Sequence, residues 1–487
     1  MTDTLYDFGM IGLGVMGSNL LLNMADHGFK VIGYDKNPDK TKILESSATK
    51  NTIVKGVNTL PEMIALLQKP AKLMMLVPAG KIVDDVIAEL LPLLQEGDII
   101  IDGGNSHYTD TLKRIAFLQE SKLLFMGTGI SGGEQGARLG PSIMPGGDEK
   151  AYKCVEPILK AVAAKVDGDD CVGYLGKHAA GHYVKMVHNG IEYAIMQLIS
   201  ECYDLLKNGL GITNDELHTV FKDWNAGEMK SFLLEITADI FLQKDEKTEN
   251  RLVDMILDKA GAKGTGKWTS QEGLDLPMPI PTIDMAVMMR NISALADERN
   301  IAASVYKTDL KKIALSKEEF IKKLHDALYA ATIISYSQGL ALLAAASIEL
   351  EMEIPLPEVV RVWKGGCIIR SGLLNLFSDA YKQDDLQPNL LLDESIAKII
   401  QQKEQSLGEV VSIAAINNYP AAGLMASLNY LNAYRRKNLP TNLIQAQRDY
   451  FGSHTYERID KTGIFHTNWQ QDEKTVDHPS TQHPKIS

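Results

Sequence analysis

Five polar residues within nine positions, Lys185, His188, Asn189, Glu192 and Tyr193, fall on one helical face of the stretch His178 to Leu206, at about 100° per residue. Met186, Val187, Ile191, Ala194 and Ile195 fill the rest of the circumference, so the stripe is set into an otherwise apolar helix. Burying a lysine and a glutamate is costly unless they are paired or used. Burial lowers the lysine pKa and raises the glutamate pKa, which gives a general base and a general acid near neutral pH. Seven positions separate Lys185 from Glu192, roughly 10 Å of helical rise, room for a small substrate. The competing reading of the stripe alone is an internal ion-pair ladder.

The segments that must position this helix begin at the N-terminus. Residues 5–12 form an apolar strand that runs into Gly12-Leu13-Gly14-Val15-Met16-Gly17, and helical spacing follows from Ser18. Strand, glycine-rich turn and helix together form the dinucleotide fingerprint, with pyrophosphate placed on the helix N-terminus. A second strand ends at Asp35, 18 residues after the last glycine, where a carboxylate favours a free ribose 2′-hydroxyl and hence NAD. Lys36 follows and suits a 2′-phosphate, so NADP stays open beside NAD. Strands expected at 73–77, 99–102 and 123–126 alternate with helices at 81–94, 108–119 and 149–163, which predicts a parallel sheet with helices on both faces. Ligands lie beyond such strand ends, here Val77-Pro78-Ala79, Asp102 to Ser106 with Asn105, and Gly127 to Gly129. The following loop, Ser131-Gly132-Gly133 to Arg138, is glycine-rich enough to be an anion nest for a carboxylate, or else a plain surface connection.

The expected fold is an α/β Rossmann-like domain over 1–177, an all-α domain over 178–440 and a C-terminal arm over 441–487, with the polar end beyond Gln471 disordered. A net charge of −12 argues against nucleic-acid or anionic-membrane partners, so an anionic ligand needs a local cationic pocket. The four cysteines form no CxxC pair, no signal sequence is recognised, and no run reaches roughly 18 apolar residues, so the default is cytoplasmic. Residues 261–268 nearly spell a phosphate-binding loop, but Trp268 stands where serine or threonine is required and a helix is expected upstream. His178 and His182 are spaced like metal ligands without a third, which favours capping or core roles. Arg370 reads equally as structural or functional.

The stretches GLGVMGSNL (12–20), IIIDGGNS (99–106), ISGGEQGAR (130–138), MPGG (144–147) and GHYVKMVHNGIEY (181–193) together resemble the decarboxylating 6-phosphogluconate dehydrogenases. AGAKGTGKWT (260–269), WKGGCIIRSG (363–372) and NLIQAQRDYFGSHTYER (442–458) continue the likeness, in order, to Trp469. The resemblance implies oxidation of 6-phosphogluconate at C3 by a nicotinamide cofactor, loss of C1 as carbon dioxide and release of ribulose 5-phosphate, without a metal. It implies Lys185 as base on the 3-hydroxyl and Glu192 as acid on the enediol. Asn105, Ser131, Gly132, Gly133, His188 and Asn189 would hold the sugar acid, and Tyr193, Lys263 and Arg290 the phosphate end. In a homodimer, Arg448 and His454 would complete the partner's phosphate site. Two departures bear on the cofactor: Asp35-Lys36-Asn37 stands where NADP-using members carry Asn-Arg-Thr, and Val77-Pro78-Ala79 lacks a central lysine. The alternatives are a β-hydroxyacid dehydrogenase of related fold and a non-catalytic dinucleotide-binding protein.

Overall fold

The computed structural model describes residues 5–307 and 309–469, and the expectation for the chain beyond Gln471 falls outside them. Seven strands, β1 (Phe8–Ile11), β2 (Val31–Tyr34), β3 (Val54–Val57), β4 (Lys72–Met75), β5 (Ile99–Asp102), β6 (Leu124–Ser131) and β7 (Ser142–Gly147), form one sheet in the order β3-β2-β1-β4-β5-β6-β7. The strands from β3 across to β6 are parallel. Consecutive side chains leave on opposite faces: Ile99 and Ile101 join a core with Leu20, Met24, Val155 and Leu159, while Ile100 joins one with Met63, Val83 and Ile87. Helices on both faces make a strand such as Ile99-Ile100-Ile101 apolar throughout rather than alternating.

The sheet departs from the expected all-parallel form at its last strand. β7 pairs antiparallel with β6 from Met126↔Gly147 to Ser131↔Ser142. The segment expected as a loop over 131–138 ends β6 and then forms a short helix, Gly133–Leu139. β3 (VKGV) was hidden by its lysine and glycine, and β7 by its proline and paired glycines, which lack the period-2 pattern of a half-buried strand.

Beyond the sheet comes the long helix, Ala180–Asp204, which continues into a π-helical turn, Leu205–Gly209. It starts two residues later than the spacing predicts because His178 adopts a left-handed conformation at φ 54°. Its N-terminal half lies on β6 and β7, and its flanks meet the helices Thr265–Asp275, Pro281–Ser293 and Lys317–Glu349. The last of these is long and apolar enough to cross a membrane, contrary to the sequence count, but 72% of its most apolar window is buried inside the protein. That burial marks a core helix. Residues 255–264 are coil after a single 3-10 turn, so no helix immediately precedes the Gly261–Trp268 stretch.

Two compact units emerge, up to Leu428 and from Asn429 onward. The second contains the helix Thr441–Gly452 and a two-stranded hairpin pairing Tyr456–Glu457 with Ile464–Phe465.

Candidate active site

The long helix can lie against the sheet because glycines remove the side chains that would hold it off. A Cβ on Gly129 would come within 2.3 Å of Lys185 Cβ, one on Gly127 within 2.7 Å of the His182 ring, and one on Gly146 within 2.2 Å of Gly181 N. The backbone of β6 and β7 therefore fixes the height of Lys185. His182 ties the same turn to the β5 loop: its Nε2 lies 3.0 Å from Asp102 O and its Nδ1 2.6 Å from Thr111 Oγ1. Fully buried, it is a core histidine, and burial holds its pKa below the ordinary value.

Lys185 is buried, with Nζ 2.9 Å from Asn189 Oδ1 and 3.5 Å from His188 Nδ1. Glu192 Oε2 lies 3.9 Å from the same ring nitrogen, His188 Nδ1, with 21% of its side chain exposed. Amine and carboxyl thus face one compartment, with His188 and Asn189 between them. Burial lowers the Lys185 pKa although the Glu192 charge opposes the shift, and burial raises that of Glu192 against the pull of Lys185 and Arg290. His188 is held well below its ordinary pKa by burial and by Lys185, so it stays neutral. Below the pair lies the fully buried Cys367, its thiol pushed up to about 12 by burial.

Around this pair stand the residues expected to grip a sugar acid. Ser131 Oγ is 3.4 Å from His188 Nε2, and Gly132 and Gly133 take positive φ at the head of the short helix. Gly132 cannot carry a side chain, since a Cβ would meet Gly366 O at 2.6 Å. Asn189 Nδ2 donates to Thr265 Oγ1 at 3.1 Å. Arg290 places its guanidinium 3.5 Å over the Tyr193 ring and donates to Gly261 O, which fixes the loop that carries the exposed Lys263. Arg370 instead lies on the Phe232 ring and donates to Cys367 O, a structural placement.

A cleft runs past Gly14, Val15, Met16, Gly17, Leu76, Val77, Gly103, Gly104 and Asn105. The helix beginning at Val15 has neither a side-chain cap nor an acidic first turn, so its free N–H groups fit a pyrophosphate. Gly14 faces open space, whereas a Cβ on Gly17 would strike Gly12 O at 2.0 Å. The Leu13 side chain belongs to the core and offers only backbone, and Pro78 and Ala79 are exposed beyond Val77. Asp35 is engaged by Leu13 N at 2.8 Å, Asn37 N at 2.9 Å and Lys40 Nζ at 3.0 Å. Burial opposes these donors, but together they hold its pKa below the ordinary value. Lys36 is exposed, 3.6 Å from Glu89.

Residues 7–176 match the NAD binding domain of 6-phosphogluconate dehydrogenase, and residues 181–469 match the C-terminal domain of 6-phosphogluconate dehydrogenase. The chain belongs to the 6-phosphogluconate dehydrogenase family. Among its relatives, the NADP(+)-dependent, decarboxylating 6-phosphogluconate dehydrogenase of Bacillus subtilis is 49% identical over 95% of this chain and 99% of its own length. The decarboxylating enzyme of Synechocystis is 49% identical over 95% and 97%. The Plasmodium falciparum 6-phosphogluconate dehydrogenase, solved apo, with its cofactor NADP+ and with its substrate 6-phosphogluconate, superposes with a TM-score of 0.93 at 45% identity, covering 95% of this chain and all of that one.

Several parts of this family member's site were not singled out in the sequence. Thr265 and Lys40 are among them, and Gly127, Gly129 and Gly146, in the stretches read as a ligand-side strand end and as MPGG, were not read as the seat of the long helix. The density of glycine between 127 and 147 was the one available signal.

Proposed function

We propose that this chain catalyses the oxidative decarboxylation of 6-phosphogluconate to ribulose 5-phosphate and carbon dioxide, with NADP as the preferred cofactor and NAD accepted, in the cytoplasm. The observation that carries the reading is the single buried compartment shared by an amine with a lowered pKa and a carboxyl with a raised one.

Neutral Lys185 takes the proton of the 3-hydroxyl, and Asn189 Oδ1 holds the amine in place for it. NADP, held along Gly12 to Gly17 and Asn105, supplies the hydride acceptor. The ammonium formed at Lys185 then lies where negative charge gathers on the C3 oxygen as the bond from C1 to C2 breaks, which stabilises the enediolate. Glu192, whose pKa burial raises, gives a proton to C2 as the ketone is restored at C3, the C2 of ribulose 5-phosphate, and the proton that Lys185 took from the hydroxyl replaces the one Glu192 gave up. Ser131, Gly132, Gly133, His188 and Asn189 hold the sugar acid, and Tyr193, Lys263 and Arg290 hold the phosphate. In a homodimer, Arg448 and His454 of the partner subunit complete the phosphate grip.

Cofactor preference follows from Asp35. Its oxygens are committed to Leu13, Asn37 and Lys40, so Lys40 offsets the carboxylate, and the exposed Lys36, 3.6 Å from Glu89, is the cation left to meet the ribose. A 2′-phosphate fits that field. Mixing protein, 6-phosphogluconate and each cofactor in turn, and following nicotinamide reduction together with carbon dioxide release, tests the whole proposal. Reduction without carbon dioxide would indicate a simple hydroxyacid dehydrogenase, and a strong NAD preference would overturn the reading of Asp35.

A further inference from the structure

We infer that Asp449 is the positioning residue that presets Arg448 and His454 for their work. This rests on the reading that the arm completes a phosphate site. Asp449 is a carboxylate with no exposed surface in a unit otherwise rich in exposed residues. Four donors from two separate stretches, Thr455 and residues 466–469, converge on it. Oδ1 takes Thr455 N at 2.9 Å and lies 2.8 Å from His466 Nδ1, while Oδ2 takes Thr467 N at 3.0 Å and Trp469 Nε1 at 2.9 Å. The donors themselves shut it off from water, rather than depth in a large core. Loss of water opposes ionisation, but the four contacts outweigh it and keep the carboxyl ionised.

What these contacts hold is a turn that would not hold itself. After the Thr441–Gly452 helix the chain passes through Ser453 at φ 51° and Thr455 at φ 58°, two left-handed residues that are not glycine, with His454 between them. Such residues are strained unless their surroundings impose the conformation. Asp449 imposes it twice, through its backbone oxygen on Ser453 N at 3.0 Å and through Oδ1 on Thr455 N. Gln445 adds a second strut, since its amide donates to Thr455 O at 2.5 Å and accepts from Arg448 Nη1 at 3.1 Å. Arg448 precedes Asp449 in the chain, so one buried carboxylate sets the spacing between the guanidinium and the imidazole before any phosphate arrives. Preorganisation of this kind acts on substrate affinity more than on chemistry.

The test is a double-mutant cycle on the full-length enzyme. Asp449→Asn should raise the KM for 6-phosphogluconate about tenfold or more, with the cofactor KM and kcat within about twofold. Added to Arg448→Ala combined with His454→Ala, it should cost little further, because both groups it positions are already gone. An unchanged substrate KM in Asp449→Asn, a loss confined to kcat, or full additivity with the Arg448→Ala, His454→Ala pair would overturn the proposal. If Arg448→Ala itself leaves the substrate KM unaltered, the arm does not complete a phosphate site, and the reading beneath the proposal fails instead. Should Asp449→Asn not fold, Trp469→Phe removes a single donor and keeps the ring, and a rise of about two- to fivefold in the same KM alone is expected. No rise in that variant would equally overturn the assignment.

Discussion

Lys185 and Glu192 meet the same burial and answer it in opposite directions, one giving up its proton more readily and the other less. In the proposed roles turnover needs the amine free and the carboxyl protonated, so kcat should climb as Lys185 loses its proton and decline as Glu192 loses its own. Glu192→Gln is expected to lower kcat by about 100-fold and to abolish the alkaline decline while keeping the climb. A decline that persists in that variant assigns the acid elsewhere. Lys185→Ala should eliminate turnover and leave cofactor affinity intact, read by binding of the oxidised cofactor. At this scale the sequence was informative because polar residues repeating on an apolar helix stand out against it. It was silent on Asn189 as the group that holds the amine, because a side chain's partner depends on packing that spacing does not reveal.

The glycine seat and the long helix act as one device. Gly129→Ala should push the Lys185 stem off the sheet, and since a displacement near 1 Å can cost about 100-fold, kcat should fall by that order while cofactor affinity persists. Equal kcat in the alanine variant would show that the helix has slack. Farther along the same helix, Glu201 is buried and accepts from Gly423 N at 2.7 Å and Leu424 N at 2.9 Å, at the start of the helix Ala422–Tyr434. Burial outweighs these donors and lifts its pKa to about 7. The unfolded chain releases that proton at lower pH than the folded one, so the stability Glu201 lends is complete below the ordinary carboxyl range and is lost as pH rises through 7. Thermal midpoints measured from acid to neutral pH should fall more steeply in the parent than in Glu201→Gln, and parallel curves would rule Glu201 out as the source. The strand, glycine turn and helix at 8–26 were legible because local propensity and fold agree there. β3 and β7 were not, because their pairing is imposed by neighbours distant in sequence.

A chain with a net charge of −12 that works on a phosphorylated acid must gather its cations locally, and the homodimer proposed above makes half of that gathering a matter of partnership. Lys185→Ala homodimers should be inactive, and Arg448→Ala homodimers nearly so at 6-phosphogluconate well below their raised KM, yet at that concentration a reassorted mixture should recover about a quarter of parental activity, because each hybrid holds one complete site. No recovery would place both groups in the same subunit's site. Recovery should also disappear on dilution below the dimer dissociation constant. Finally, three of the four tryptophans each sense a different part of the molecule. Trp363, fully buried with its ring edge-to-face 5.7 Å from His188, sits next to the proton-handling residues, Trp268 meets His107 at 4.7 Å, and Trp469 reports on the arm. With the others replaced by phenylalanine, each indole becomes an intrinsic lamp, and emission from three single-lamp proteins would time ligand entry, proton movement and arm docking separately, with no label attached.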